Sequence, residues 1–151
     1  MEKKYLGIIF LSLILFTNCK KNEDTITLIP KDYLGTVKIW FNQKNGTEKK
    51  YEKNKRIYKI PENGVLKTKF SPQFGYHFTK YYYISENGKR TEIKPLLDLS
   101  KNVLDTIDKN KIYAYHFMSI GNTLKMDSIG NVIEKKEGGI IFEIGNPTKW
   151  K

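Results

Sequence analysis

Cysteine is almost missing from this chain, and histidine and arginine are nearly as scarce. The one cysteine, Cys19, leaves no partner for a disulfide framework and rules out the multi-cysteine zinc sites of small domains. His77 and His116 are the only histidines and lie far apart, with no His-x-x-x-His or paired-carboxylate spacing around them, so the sequence supports no metal and no other cofactor. Arg56 and Arg90 are the only arginines among 27 basic side chains. Dedicated phosphate or base recognition favours the planar arginine fork over the strongly hydrated lysine ammonium, so the net charge of +11 reads as a solvated lysine surface and argues against a nucleic-acid partner. No glycine-rich phosphate loop occurs, and Ser71 and Ser119 lack the strand-turn-helix context of an activated serine. Leu6 to Phe16 is too short to span a bilayer as a stable helix.

That short apolar run follows Lys3 and Lys4 and leads into Leu15-Phe16-Thr17-Asn18-Cys19. A basic n-region, a short apolar core and a cleavage region are the parts of an export signal. The arrangement resembles the lipobox of bacterial lipoproteins, although Phe16 and Asn18 stand where the commonest version has Leu and Gly or Ala. The resemblance implies removal of residues 1–18 and lipid attachment at Cys19, hence a membrane as the first partner. An ordinary secretory signal followed by a free cysteine is the competing reading. Lys20 to Asp24 is polar and without apolar periodicity, a tether over 19–24. Lysine after the cysteine and acidic residues beyond it resemble the surface-export signals of Bacteroidota lipoproteins, which implies the outer membrane of the cell envelope. Removing the leader takes away two lysines and one glutamate, so the basic balance persists. What remains suffices for one domain, placed at 25–148.

Beyond the tether the pattern is that of strands. Ile26 and Leu28 alternate with threonines up to Pro30, and Val37, Ile39 and Phe41 share one face of the best strand in the chain. Asn45-Gly46 and Asn63-Gly64 mark turns, with short strands at Ile57 to Ile60 and Val65 to Phe70. Tyr76 to Ile84 reads as a long aromatic strand returning through Glu86-Asn87-Gly88 and ending before Pro95. Leu97, Val103, Leu104 and Ile107 have helical spacing, the only place for a short amphipathic helix. Ile112 to Ile120 and Ile140 to Ile144 are strands, and Gly121-Asn122 and Gly130-Asn131 are hairpin turns. The expected fold is therefore all-β, an antiparallel β-sandwich of about seven to eight strands with at most one short helix, with an open β-barrel as the alternative. Val37, Ile39, Phe41, Leu66, Phe142 and Ile144 are predicted to share one core.

Two stretches echo each other: Ile29-Pro30-Lys31-Asp32-Tyr33-Leu34-Gly35 and Tyr58-Lys59-Ile60-Pro61-Glu62-Asn63-Gly64. Each runs Ile-Pro, then a glycine entering a strand. Together they resemble an uncharacterised domain family of Bacteroidota-type lipoproteins marked by Ile-Pro-x-x-Tyr/Phe-x-Gly and Tyr-x-Ile-Pro-x-x-Gly. That family carries no activity to transfer, and its glycines have a structural reading as turn residues.

Aromatic side chains are the remaining functional signal. Alternation places Tyr81 and Tyr83 on one face of their strand with His77 and Thr79, opposite Phe78 and Tyr82. With Trp40 they would form an exposed ligand-binding platform for an envelope glycan or protein. Ordinary cross-strand packing accounts for the same tyrosines and carries more weight. Catalysis would need His77 or His116 beside a carboxylate supplied by the fold, as in a hydrolase. The sequence supports a non-catalytic binding or structural module over that alternative.

Overall fold

A computed structural model describes residues 22–121, 123–130, 132–136 and 138–149. The chain runs β1 (Thr25–Pro30), β2 (Gly35–Trp40), β3 (Lys50–Glu52), β4 (Lys55–Lys59), β5 (Val65–Lys67), β6 (Thr79–Ile84), β7 (Arg90–Leu96), β8 (Tyr113–Ile120), β9 (Thr123–Met126), β10 (Val132–Lys136) and β11 (Gly139–Gly145). The class is all-β. β9 and β10 form a hairpin of their own, and the other nine strands make one sheet in the order β3-β4-β1-β6-β7-β8-β11-β2-β5.

The sheet is continuous, yet its two halves face each other as sandwich layers do. β7 belongs to both, pairing with β6 on one side and β8 on the other. Tyr81 of β6 meets Phe142 of β11 edge to face at 5.2 Å, and Phe41 after β2 meets Tyr58 of β4 at 5.9 Å. The outer edges also approach. Thr47 bridges Thr68, and the Phe70 ring lies 5.3 Å from Tyr51 and 5.5 Å from Tyr58. The result is a curled, open barrel around one core, in which all six residues expected there are buried: Val37, Ile39, Phe41, Leu66, Phe142 and Ile144.

The sheet is mixed and not wholly antiparallel as expected. β1 pairs in parallel with both β4 and β6, β2 with β5, and β7 with β8. The cause lies in the echoed segments. β1 does not return beside itself but arches across the core into β2, and β4 does the same into β5. The arches stack, with Leu28 opposite Lys59 in one half and Lys38 opposite Val65 in the other. Stacked arches must pair in parallel. Gly35 and Gly64 both hold positive φ, at 123° and 73°, where each arch enters its second strand.

Two local readings change. β7 continues through Pro95, which pairs with Ala114 where Pro was expected to end the strand. The expected amphipathic helix is a single turn, Lys101–Leu104, that fully buries no residue: Leu97 points to solvent, and Val103 and Leu104 are only half-buried.

Candidate functional site

The inner face of β1 changes character along its length. Ile29 belongs to the core, whereas Thr25 and Thr27, on the same face, are buried hydroxyls toward the strand's start. Because β1 and β6 are parallel, Thr79 stands opposite Thr25 at the same end. The hydroxyls open a cleft of about 480 Å³ between the sheet halves, bounded across from them by Phe41, Asn42 and Gly138 to Ile140. Tyr58 adds a phenol near Arg56 and Thr25 whose titration burial pushes upward. A wider, shallower depression of about 1040 Å³ occupies the opposite end of β1, β4 and β6, lined by Lys31, Asp32, Glu62 and Glu86 among others.

The segment from Ser71 to Phe78 forms one wall of the cleft and is bound to the start of the described chain. Asn22 donates to the Phe74 carbonyl (2.6 Å), and the Glu23 amide donates to Gln73 Oε1 (2.7 Å) while Gln73 Nε2 donates back to the Glu23 carbonyl (2.9 Å). The Phe78 amide donates to Asp24 Oδ1 (3.3 Å), and the Thr25 amide donates to the Phe78 carbonyl (2.8 Å). Arg56 holds both sides: its Nε donates to Glu23 Oε2 and its Nη1 to the Ser71 carbonyl, each at 2.6 Å, with its guanidinium 4.8 Å from the Phe70 ring centroid. The other arginine, Arg90, forks onto both oxygens of Glu52 (2.9 and 2.7 Å). Both arginines therefore serve planar, charge-assisted pairing within the fold.

The aromatic platform is not formed. Tyr81 is buried with its ring edge to face with Phe142, and Tyr83 packs on the same core with its hydroxyl donating to the Tyr33 carbonyl (2.8 Å). Trp40 sits half-buried on the opposite side of β2 from Val37 and Ile39. Alternation correctly placed the two tyrosines on one face, but that face is the inside of the barrel. Burial raises the Tyr83 phenol to about 12 and moves Tyr81 further in the same direction.

Three other aromatics are exposed instead. Phe74, Tyr76 and Phe78 are 83%, 84% and 64% accessible, and Tyr76 and Phe78 touch edge to face at 5.3 Å. Tyr76 and Phe78 fall within the strand expected from Tyr76 to Ile84, but β6 starts only at Thr79. Pro72 and Gly75, the latter at φ 94°, are the signals that separate this loop from the strand behind it.

His77 accordingly lies in the loop, lining the cleft, with Nδ1 3.1 Å from the Gly75 carbonyl. Among the described residues, the cleft lining contains no carboxylate. Asp24, the nearby acid, has its oxygens engaged by the Phe78 amide and by Lys55 at 3.4 Å. That amide, foremost, holds the Asp24 carboxyl below its ordinary range. His116 occupies a bulge in β8 at φ 56°, where His116 and Phe117 together face Phe142. Among the described residues no group of three His, Cys, Asp or Glu side chains could hold a metal, and no helix is long and apolar enough to cross a membrane. Cys19 lies outside the described residues.

Residues 21–135 match a family of unknown function, DUF6843. The chain belongs to that family. No curated protein matches this DUF6843 chain. Among solved structures, a protein of Bacillus anthracis provisionally called a lipoprotein is similar at a TM-score of 0.51 and 18% identity, covering 86% of this chain and 73% of that one. The likeness is one of fold.

Proposed function

We propose that this DUF6843 protein is a lipid-anchored component of the bacterial cell envelope, of the Bacteroidota lipoprotein kind, held at the outer membrane through acylated Cys19 and acting by binding without catalysis. The observation that carries the binding reading is the cleft at the start of β1 and β6. Its Thr25, Thr27, Thr79, Tyr58, Asn42 and Gln73 supply hydroxyls and amides, and Phe41 and Phe74 supply ring faces. Neutral donors and acceptors beside aromatic faces suit a sugar ring, whose hydroxyl edge and apolar face need both. A volume of about 480 Å³ falls within the range of small-ligand pockets. The sugar can be presented by an envelope glycan or by a glycolipid head, which share that chemistry.

The anchor is tested by Cys19→Ala, which should move the protein from the membrane fraction to the soluble one, since two or more acyl chains on one residue make attachment effectively stable. A variant that still sediments at high salt refutes it. For the cleft, calorimetric titration with envelope oligosaccharides and with glycolipid in micelles should give saturable binding. Thr79→Val should weaken it by roughly three- to tenfold, the range of one lost hydrogen bond. A flat titration with both ligands refutes the cleft, and hydrolysis of either ligand that is lost in His77→Ala would make it an active site.

A further inference from the structure

The exposed aromatics stand beside the residue where the described chain begins. Asn22 donates to the carbonyls of Phe74 and Tyr76, at 2.6 and 3.4 Å, so the backbone bearing these rings is fixed to a point three residues from Cys19. Three residues reach at most about 11 Å when fully extended. The headgroup layer on one side of a bilayer is roughly 5–8 Å deep. Acyl chains on Cys19 would therefore bring Asn22, and the loop bonded to it, to the membrane surface whatever path residues 20 and 21 take.

We infer that Phe74, Tyr76 and Phe78 form a membrane-seating face that enters the lipid interface and fixes how the anchored domain stands. The inference rests on the acylation of Cys19 proposed above. Three large rings at alternate positions of one loop present apolar area that the core does not use, and aromatic rings are the side chains favoured at interface depth. The loop is also braced for the task. Glu23, Gln73, Asp24, Phe78 and Arg56 close a set of bonds around it, so the rings are carried on a platform tied to the sheet. Lys20 and Lys21, between the anchor and this platform, add positive charge where anionic headgroups would lie. The loop also walls the cleft, so the cleft would open beside the bilayer, while the depression lined by Glu86, at the other end of β6, would face away.

The experiment uses full-length protein, processed by cells and purified from their membranes, carrying Tyr76→Cys or Glu86→Cys. Each introduced thiol is labelled with an environment-sensitive fluorophore. Each protein is reconstituted in vesicles of phosphatidylethanolamine and phosphatidylglycerol with brominated acyl chains, and the mass of the Cys19 peptide is measured in the same preparations. With Cys19 acylated, the label at position 76 should lose most of its emission relative to unbrominated vesicles, and the label at position 86 should lose none. Equal emission from position 76 in the two kinds of vesicle, with Cys19 acylated, overturns the seating face and leaves the anchor standing. Unacylated Cys19 overturns both. A second variant, Phe74→Ser with Phe78→Ser, should reduce quenching at position 76 without changing the Cys19 mass; unchanged quenching there would show that the rings do not hold the loop at the interface and would refute their role.

Discussion

His116 illustrates how one backbone conformation sets an interior. Ala114 points into the core, so uninterrupted alternation along β8 would send His116 inward as well. The bulge puts His116 in the left-handed region, a conformation that histidine tolerates better than most side chains, and turns Phe117 toward the core rings while leaving it partly exposed. Phe117 then stacks on Phe142 at 5.7 Å and lies 5.8 Å from Tyr81. His116→Val should therefore be less stable than His116→Gly by about 1–2 kcal/mol, measured as the difference in urea unfolding free energy, because a branched side chain opposes that φ. Equal stability of the two would mean that the bulge does not depend on this residue's backbone. Away from the bulge, alternation holds. Ile39 is wholly buried, and Ile39→Ala should cost about 2–5 kcal/mol in the same assay.

The arches are the elements that sequence reading recognised without seeing their consequence. Ile-Pro followed by a glycine was legible twice, and the glycines do hold positive φ, but nothing in an echo of two segments says that its copies stack side by side. Stacking explains what a side chain at Gly64 would meet: a Cβ there would approach the Thr36 carbonyl to 2.7 Å and the Tyr33 hydroxyl to 2.0 Å. Tyr33 can turn aside, but a strand carbonyl cannot. Gly88, at φ 81°, has nothing within 4 Å of such a Cβ. Gly64→Ala should accordingly lower the unfolding free energy by about 1–3 kcal/mol more than Gly88→Ala, which carries the conformational strain alone. A similar loss at both positions would show that the second arch yields freely. The loop of Phe74, Tyr76 and Phe78 was less legible because the aromatic run from Tyr76 onward mimics a strand, and the turn signals Pro72 and Gly75 lie ahead of that run.

At the scale of the molecule, alternation identified Val37, Ile39, Phe41, Leu66, Phe142 and Ile144 as core and grouped Tyr81 with Tyr83. It could not say which side of that strand faces inward, since the choice belongs to β1 and β11, distant in sequence and adjacent in space. Buried Tyr81 and partly buried Tyr83 have a consequence for the whole domain. Their folded-state titrations lie above the ordinary value of 10.0, with Tyr83 at about 12, so between these values the folded chain keeps protons that the unfolded chain releases. Stability from these groups is complete below about pH 10 and is lost as pH rises toward 12. The urea midpoint should fall across that window as phenolate absorbance appears, and the fall should be shallower when Tyr81 and Tyr83 are both replaced by Phe. An undiminished fall in that variant would assign the alkaline transition to other groups.

The strand order also fixes when this domain can exist. β2 is enclosed by β5 and β11, and its residue Ile39 is aligned with Ile140, so an early strand waits for nearly the last one. A ribosome adding about 5–20 residues per second takes roughly 5–20 s to make the intervening segment. During that interval the barrel cannot close, whatever local turns have formed. Pairings of such long sequence separation are slow to find even in a finished chain. The nascent domain is thus kept open by its own topology until nearly the last strand has been made.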